Sequence, residues 1–231
     1  MNESKILIFD IESSGLKGDF ANCFCFGYMY HGEKKAHVLS VFDITAPCPC
    51  CHRIDTSRDD RLMRRVHKVM SEADMWVTWY GKGFDWKFLN TRILDAGLPL
   101  LPDTPHVDLY YTAKHKLALT SNRLANVQEF LRLPTEKTQL TKRIWRKAQT
   151  GHVGSLRYII DHCEKDVLVL DQAYAKLRPY VKQHPRVGGK DGCRICGGPL
   201  ISHKLRMTTI LGPQRQYQCK ACGHYETRSG K

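Results

Sequence analysis

The stretch ILIFDIESSGL, residues 6–16, sets four apolar side chains, Ile6 to Phe9, ahead of two carboxylates, Asp10 and Glu12. The apolar run reads as a buried strand, and residues i and i+2 of a strand face the same side. Asp10 and Glu12 therefore point together from the end of that strand. Like charges held so close repel unless a proton or a cation sits between them. The pattern predicts a metal site whose other half lies elsewhere in the chain.

Working outward, residues 21–31 (ANCFCFGYMYH) and 36–44 (AHVLSVFDI) read as further strands joined by a turn at 32–35, an antiparallel meander. A cysteine-rich loop follows, and then residues 58–74 place Leu62, Val66 and Met70 at helical spacing. MWVTWYG (75–81) predicts a fourth strand, and residues 84–97 a helix stopped by Gly97 with Pro99 behind it. Residues 107–119 and 123–133 read as helices. Ser155 is the expected cap of a long helix over 156–181, with Leu156, Ile160, Cys163, Val167, Leu170, Tyr174 and Leu177 along its apolar stripe. Strands first and helices after predict an α/β sheet covered by helices.

Two further acids stand where such a fold can gather them. Asp85, in YGKGFD, follows a strand and opens a helix. Asp166, in HCEKDVLVL, lies on the long helix beside Val167 and Leu168. Four convergent carboxylates suit two hard divalent cations, Mg²⁺ or Mn²⁺, which take oxygen ligands. Asp85 could instead merely favour a helix N-terminus. Asp108 is read as a helix cap.

Together FDIESSGL, YGKGFD and HCEKDVLVL resemble the three motifs of the DEDD superfamily of 3′–5′ exonucleases, and the surrounding segments look like its phage and bacterial branch. The resemblance covers residues 4–181. It implies a ribonuclease-H-like mixed sheet flanked by helices and two-metal hydrolysis of phosphodiester bonds. It implies Asp10 bridging both ions, Glu12 and Asp166 on the ion that serves the attacking water, and Asp85 on the second. That superfamily carries a Tyr four residues, or a His five residues, before its last Asp. Here the position four before Asp166 holds His162 and the position five before holds Asp161. A residue at i−4 shares a helical face, so His162 is the expected base or orienting group; a surface histidine is the alternative. Tyr158 is too far back.

The chain of 231 residues carries 36 Lys and Arg against 23 Asp and Glu, a net charge of +13 that favours polyanions. A basic segment around Trp145 supplies Lys137, Lys142, Arg143, Arg146 and Lys147 for phosphates, with Trp145 either stacking on a base or joining the core. Lys82 and Trp86 flank the second motif and could touch a strand end, whereas Trp79 reads as core. DNA is the favoured partner, with RNA the alternative, and a replication or recombination protein is the protein partner considered. No run of 18 apolar residues predicts a membrane span. The N-terminus carries no secretory pattern, so the expected compartment is cytoplasmic, in a bacterium or in a phage's host cell.

A reducing compartment makes the ten cysteines thiols or metal ligands. Cys193, Cys196, Cys219 and Cys222 form CxxC…CxxC with 22 residues between the pairs, each pair followed by Gly, the donor set of a zinc ribbon. The expected organisation is a nuclease domain at 1–181, a linker at 182–190 and the ribbon at 191–231. The ribbon's seven Lys and Arg against two Asp and Glu favour a nucleic-acid clamp, with protein docking the alternative. His203 and His224 are read as surface residues. Cys48 and Cys51, beside Cys50 and His52, could hold a second zinc with Cys23 and Cys25 as the other pair; reduced loop thiols are the bland option, and Cys163 reads as core. Within enzymes, an endonuclease or ribonuclease is the rival reading. Outside them, the rival is a catalytically silent nucleic-acid-binding module that recruits a partner.

Overall fold

A computed structural model describes residues 4–135, 138–187, 191–208 and 212–229. It divides into two compact units, Met1–Tyr174 and Ala175–Lys231. The division falls inside the helix that ends at Leu177. His184 is buried within the second unit, and Val187 N donates to Arg194 O at 2.9 Å.

The first unit is built on a five-stranded mixed sheet in the order β3-β2-β1-β4-β5. Strands β1 (Ile6–Ser13), β2 (Cys23–Tyr30) and β3 (His37–Ser40) form the antiparallel meander, while β4 (Met75–Thr78) and β5 (His106–Asp108) run parallel to β1. The helices are α1 (Asp60–Ser71), α2 (Asp85–Asp95), α3 (Leu109–Lys116), α4 (Leu124–Phe130), α5 (Lys142–Gln149) and α6 (Val153–Leu177). Leu7, Phe9 and Ile11 send one face of β1 into α1 and α2, where Leu62, Val66, Met70, Phe88 and Ile93 meet them. Phe24, Cys25, Leu156, Ile159 and Cys163 form a second cluster with α5 and α6. The alternation of β1 thus leaves Asp10 and Glu12 on the α6 side.

Several expectations shift. Residues 106–108 form a short parallel strand before α3, because Val107 pairs with Val77 in the buried sheet. The third strand ends at Ser40, whose backbone N–H donates to Asp43 Oδ2 at 2.7 Å and turns the chain. Ser155 lies inside α6 rather than capping it; its amide donates to His152 Nδ1 at 3.1 Å, so the imidazole satisfies the helix start. Ile159, not Ile160, is the fully buried member of the stripe. Trp79 is half-buried, its indole donating to Asn122 O at 3.0 Å.

A buried ion pair ties the helical layer to the sheet. Asp59 accepts from Arg92 Nη2 at 2.6 Å and from Cys23 N at 2.7 Å, while Arg92 Nη1 donates to Gly18 O at 3.1 Å. Loop 14–22, α1 and α2 are thereby fastened together.

The second unit holds a three-stranded antiparallel sheet, β6 (Leu200–Thr208), β7 (Gly212–Cys219) and β8 (Tyr225–Ser229). Its apolar core is small: Cys193, Ile195 and Cys219, with Cys196, Leu200 and Cys222 against them.

Candidate active site

The parallel pairing of β1 with β4 stops at Ile8 with Val77. Beyond it β4 turns away, and the β1 amides on that edge need other acceptors. Asp85 fills the gap: its Oδ1 accepts the Ile11 amide at 3.3 Å. Asp85 is the first residue of α2 and only 5% exposed. The turn before it is held by Asp108, which accepts from the backbone of Tyr80 at 2.8 Å and of Lys82 at 3.0 Å. Asp108 also caps α3 by accepting from Tyr110 N at 3.1 Å. It is a clamp as well as the expected cap.

On the other edge, Asp10 lies opposite Gly27 of β2. Gly27 faces α6, where an added Cβ would stand 2.8 Å from Cys163 Sγ and 2.9 Å from Val167 Cγ2. The missing side chain lets α6 lie close, and Cys163 Sγ reaches Asp10 O at 3.6 Å. One helical turn around, His162 Nε2 is 3.4 Å from Asp166 Oδ2 and 3.9 Å from Glu12 Oε1. His162 Nδ1 shares a hydrogen bond with the Thr138 hydroxyl, which fixes the ring. Asp161 points instead to Lys165, at 3.0 Å, and Tyr158 is exposed. A bulge after Glu12 breaks the β1–β2 register and re-aims the strand end there.

All four carboxyls are pushed above their usual range. Burial raises Asp10, and Asp85, Glu12 and Asp166 repel its charge further. Glu12 is lifted to about 8 by burial, Asp166 and Asp85. Asp85 is lifted to about 7 by burial, against the hydrogen bonds it accepts. Asp166 is raised by burial, with His162 opposing. Among the described residues, His162 is the one basic side chain placed within 4.0 Å of these acids. The acids thus crowd one another at a buried strand end, and their oxygen donors fit hard divalent cations. No three of these carboxyls have oxygens all within 4.8 Å of one another, a spacing met among the described residues only by cysteine sets.

Beside Glu12, a cavity of about 300 Å³ is lined by Ser14, Leu16, Phe84, Trp145 and Gln149. Trp145 is half-buried and stacks on Phe24 at 6.2 Å, so it belongs partly to the core and partly to this cavity wall. Lys142, Arg143, Arg146 and Lys147 are exposed on α5, as is Lys82 on the clamped turn. Trp86 is half-buried, its enclosed indole nitrogen without a hydrogen-bond partner among the described residues. Lys137 lies outside the described residues.

In the second unit the sulfurs of Cys193, Cys196, Cys219 and Cys222 all lie within 4.8 Å of one another. Cys193 and Cys222 are 3.7 Å apart, and Cys196 and Cys219 3.6 Å. Four sulfurs about 2.3 Å from a tetrahedral zinc would stand about 3.8 Å apart, so the set fits that ion. His224 is committed to Pro179 O at 2.8 Å, and His203 is exposed against Tyr225. Cys48, Cys50 and Cys51 also converge. Cys23 and Cys25, buried in β2, lie outside that set, which corrects the expected pairing.

A family model described as the RNase_H superfamily matches residues 7–178, a span that takes in Asp10, Glu12, Asp85, Asp166 and His162. The chain belongs to the RNase_H superfamily. Members of this superfamily are generally nucleases that use divalent metals. An RNase_H superfamily chain with this topology is also similar, at 28% identity over 187 residues, to the uncharacterized protein YprB of Bacillus subtilis (strain 168). That match covers 75% of this chain but 42% of the relative, so the chain spans less than half of that protein's length. Among solved structures, the family B DNA polymerase of the hyperthermophilic archaeon Pyrobaculum calidifontis superimposes with a TM-score of 0.52 and 16% identity, over 78% of this chain and 26% of the polymerase. At that identity the likeness concerns the fold alone. No helix among the described residues is long and apolar enough to cross a membrane.

Proposed function

We propose that the chain is a two-metal-dependent 3′–5′ exonuclease that hydrolyses phosphodiester bonds, with DNA favoured. The observation that supports this most is the bridge His162 makes between Glu12 and Asp166, at the strand end where Asp85 also binds the β1 backbone. Asp10, Glu12, Asp85 and Asp166 would hold Mg²⁺ or Mn²⁺. When bound, such ions supply Lewis-acid stabilisation of the attacking and leaving oxygens of a phosphodiester cleavage. His162, held by Thr138, has Nε2 positioned to take a proton from an attacking water. Asp108 and Gly27 act earlier, by setting where Asp85 and α6 stand.

Lys142, Arg143, Arg146 and Lys147 would neutralise phosphates on the flank of the cavity, Trp145 would meet a base there, and Lys82 would touch the strand end. The four ribbon thiols would hold one structural zinc, because four thiolates leave no open position. The basic ribbon would clamp nucleic acid. A DNA polymerase of similar fold leans the substrate toward DNA.

End-labelled single- and double-stranded DNA and RNA, incubated with Mg²⁺ or Mn²⁺, test the reading. Laddering from the 3′ end supports it. Internal cuts would instead indicate an endonuclease or ribonuclease, and binding without cleavage a silent recruitment module. Asp10→Ala should abolish cleavage while leaving the circular dichroism spectrum unchanged; surviving activity would sink the site.

A further inference from the structure

The loop between β3 and α1 carries Cys48, Cys50 and Cys51, whose sulfurs all lie within 4.8 Å of one another. Its backbone repeats that of both ribbon knuckles. In the first, Cys193 N donates to Gly198 O and Gly197 N to Cys193 O, both at 2.8 Å, with Gly197 at φ +72°. In the second, Cys219 N donates to His224 O at 2.9 Å and Gly223 N to Cys219 O at 3.0 Å, with Gly223 at φ +76°. In the loop, Cys48 N donates to Arg53 O and His52 N to Cys48 O, both at 2.8 Å, with His52 at φ +52°.

In the first knuckle the amide two residues on also meets the leading sulfur, Ile195 N donating to Cys193 Sγ at 3.4 Å. Amides aimed at sulfur favour a thiolate over a thiol. His52 takes a left-handed backbone that a side chain opposes, at the position where both ribbon knuckles use glycine.

We infer that Cys48, Cys50 and Cys51 form a second thiolate metal site, which takes Zn²⁺ through three sulfurs and leaves a fourth position open to water or an incoming ligand. Three soft donors select such an ion. A fourth cysteine is not at hand among the described residues, and Cys50 and Cys51 are exposed, so the open position faces solvent. The sulfurs of Cys48 and Cys50 stand 2.9 Å apart, and side-chain rotation of the exposed Cys50 gives the wider spacing of bound zinc. The next residues grip the start of α6: Ile54 N donates to Gly151 O at 2.9 Å and Arg53 Nη1 to Thr150 O at 3.1 Å. An ion here braces the entry to the helix that carries His162 and Asp166. The open position distinguishes it from the closed set in the ribbon.

The inference leans on the reading of the ribbon as a zinc site, and the test separates the two. Metal-stripped, reduced full-length chain is titrated with Zn²⁺ against a chromophoric chelator. Wild type should take two equivalents, and Cys48→Ser/Cys51→Ser and Cys193→Ser/Cys196→Ser one each. Cobalt loaded into the latter variant should still give sulfur-to-metal charge-transfer absorption. One equivalent in wild type, unchanged by Cys48→Ser/Cys51→Ser, overturns the loop site and leaves the ribbon standing. One equivalent that disappears with the loop variant supports the loop site and removes the ribbon. No uptake overturns both.

Discussion

At the scale of single residues, His162 stands between two of the four acids with its other nitrogen already engaged by Thr138. His162→Ala should lower kcat by roughly 10²–10⁴-fold, the usual contribution of a positioned base, with KM little changed, as single-turnover assays would read. Glu12 makes a prediction about stability. Its folded pKa, about 8, lies above the ordinary 4.5, so the folded chain binds more protons between those values than the unfolded chain. The metal-free protein therefore loses stability as pH rises from about 4.5 toward 8. Glu12→Gln should flatten that fall, and Mg²⁺ should raise the melting temperature of wild type more at pH 8 than at pH 5.5. Differential scanning calorimetry of both proteins checks this, with the cysteine sites common to each. The Asp10 and Glu12 pair was legible because strand alternation is strict. The clamp by Asp108 was not, because its acceptor role toward Tyr80 and Lys82 depends on backbone amides more than 25 residues away.

At the scale of elements, the approach of α6 to β2 decides whether Asp166 reaches the β1 acids. Gly27→Ala places a methyl within 2.9 Å of Cys163 Sγ and Val167 Cγ2. Overpacking of this kind costs about 1–3 kcal/mol, and the displaced helix should lose activity out of proportion to that cost. Thermal melts paired with cleavage rates would tell: an unchanged rate would mean that α6 does not position the acid. The long helices and the meander were readable because their apolar periods run over many residues. The strand β5 was not, because three residues preceding a helical pattern carry no period of their own; only pairing with β4 reveals it. The start of α6 was misplaced for a related reason: His152 supplies the cap through an imidazole, where sequence favours the hydroxyl of Ser155.

At the scale of the whole molecule, the net charge of +13 sets affinity and its salt dependence. Replacing Lys142, Arg143, Arg146 and Lys147 together by Ala should weaken binding. It should lower the slope of log K against log salt by about 3 if all four meet phosphate. Fluorescence anisotropy with labelled single strands at several ionic strengths measures it; an unchanged slope would move the phosphate path away from α5. The ribbon was legible because CxxC spacing reports geometry directly. The turn at Cys48 was only half legible, since its likeness to the ribbon knuckles resides in backbone bonds and in the φ of His52.

Arg92, buried against Asp59, also holds Gly18 O, and Ser14 and Asn22 exchange hydrogen bonds across the base of the same loop. That loop carries Leu16, 79% exposed, and Phe20, 91% exposed. Their apolar surface is thus displayed on a rim already immobilised by folding. Whatever lands there meets a preorganised edge, and most of the entropic penalty for ordering that rim has been met before contact.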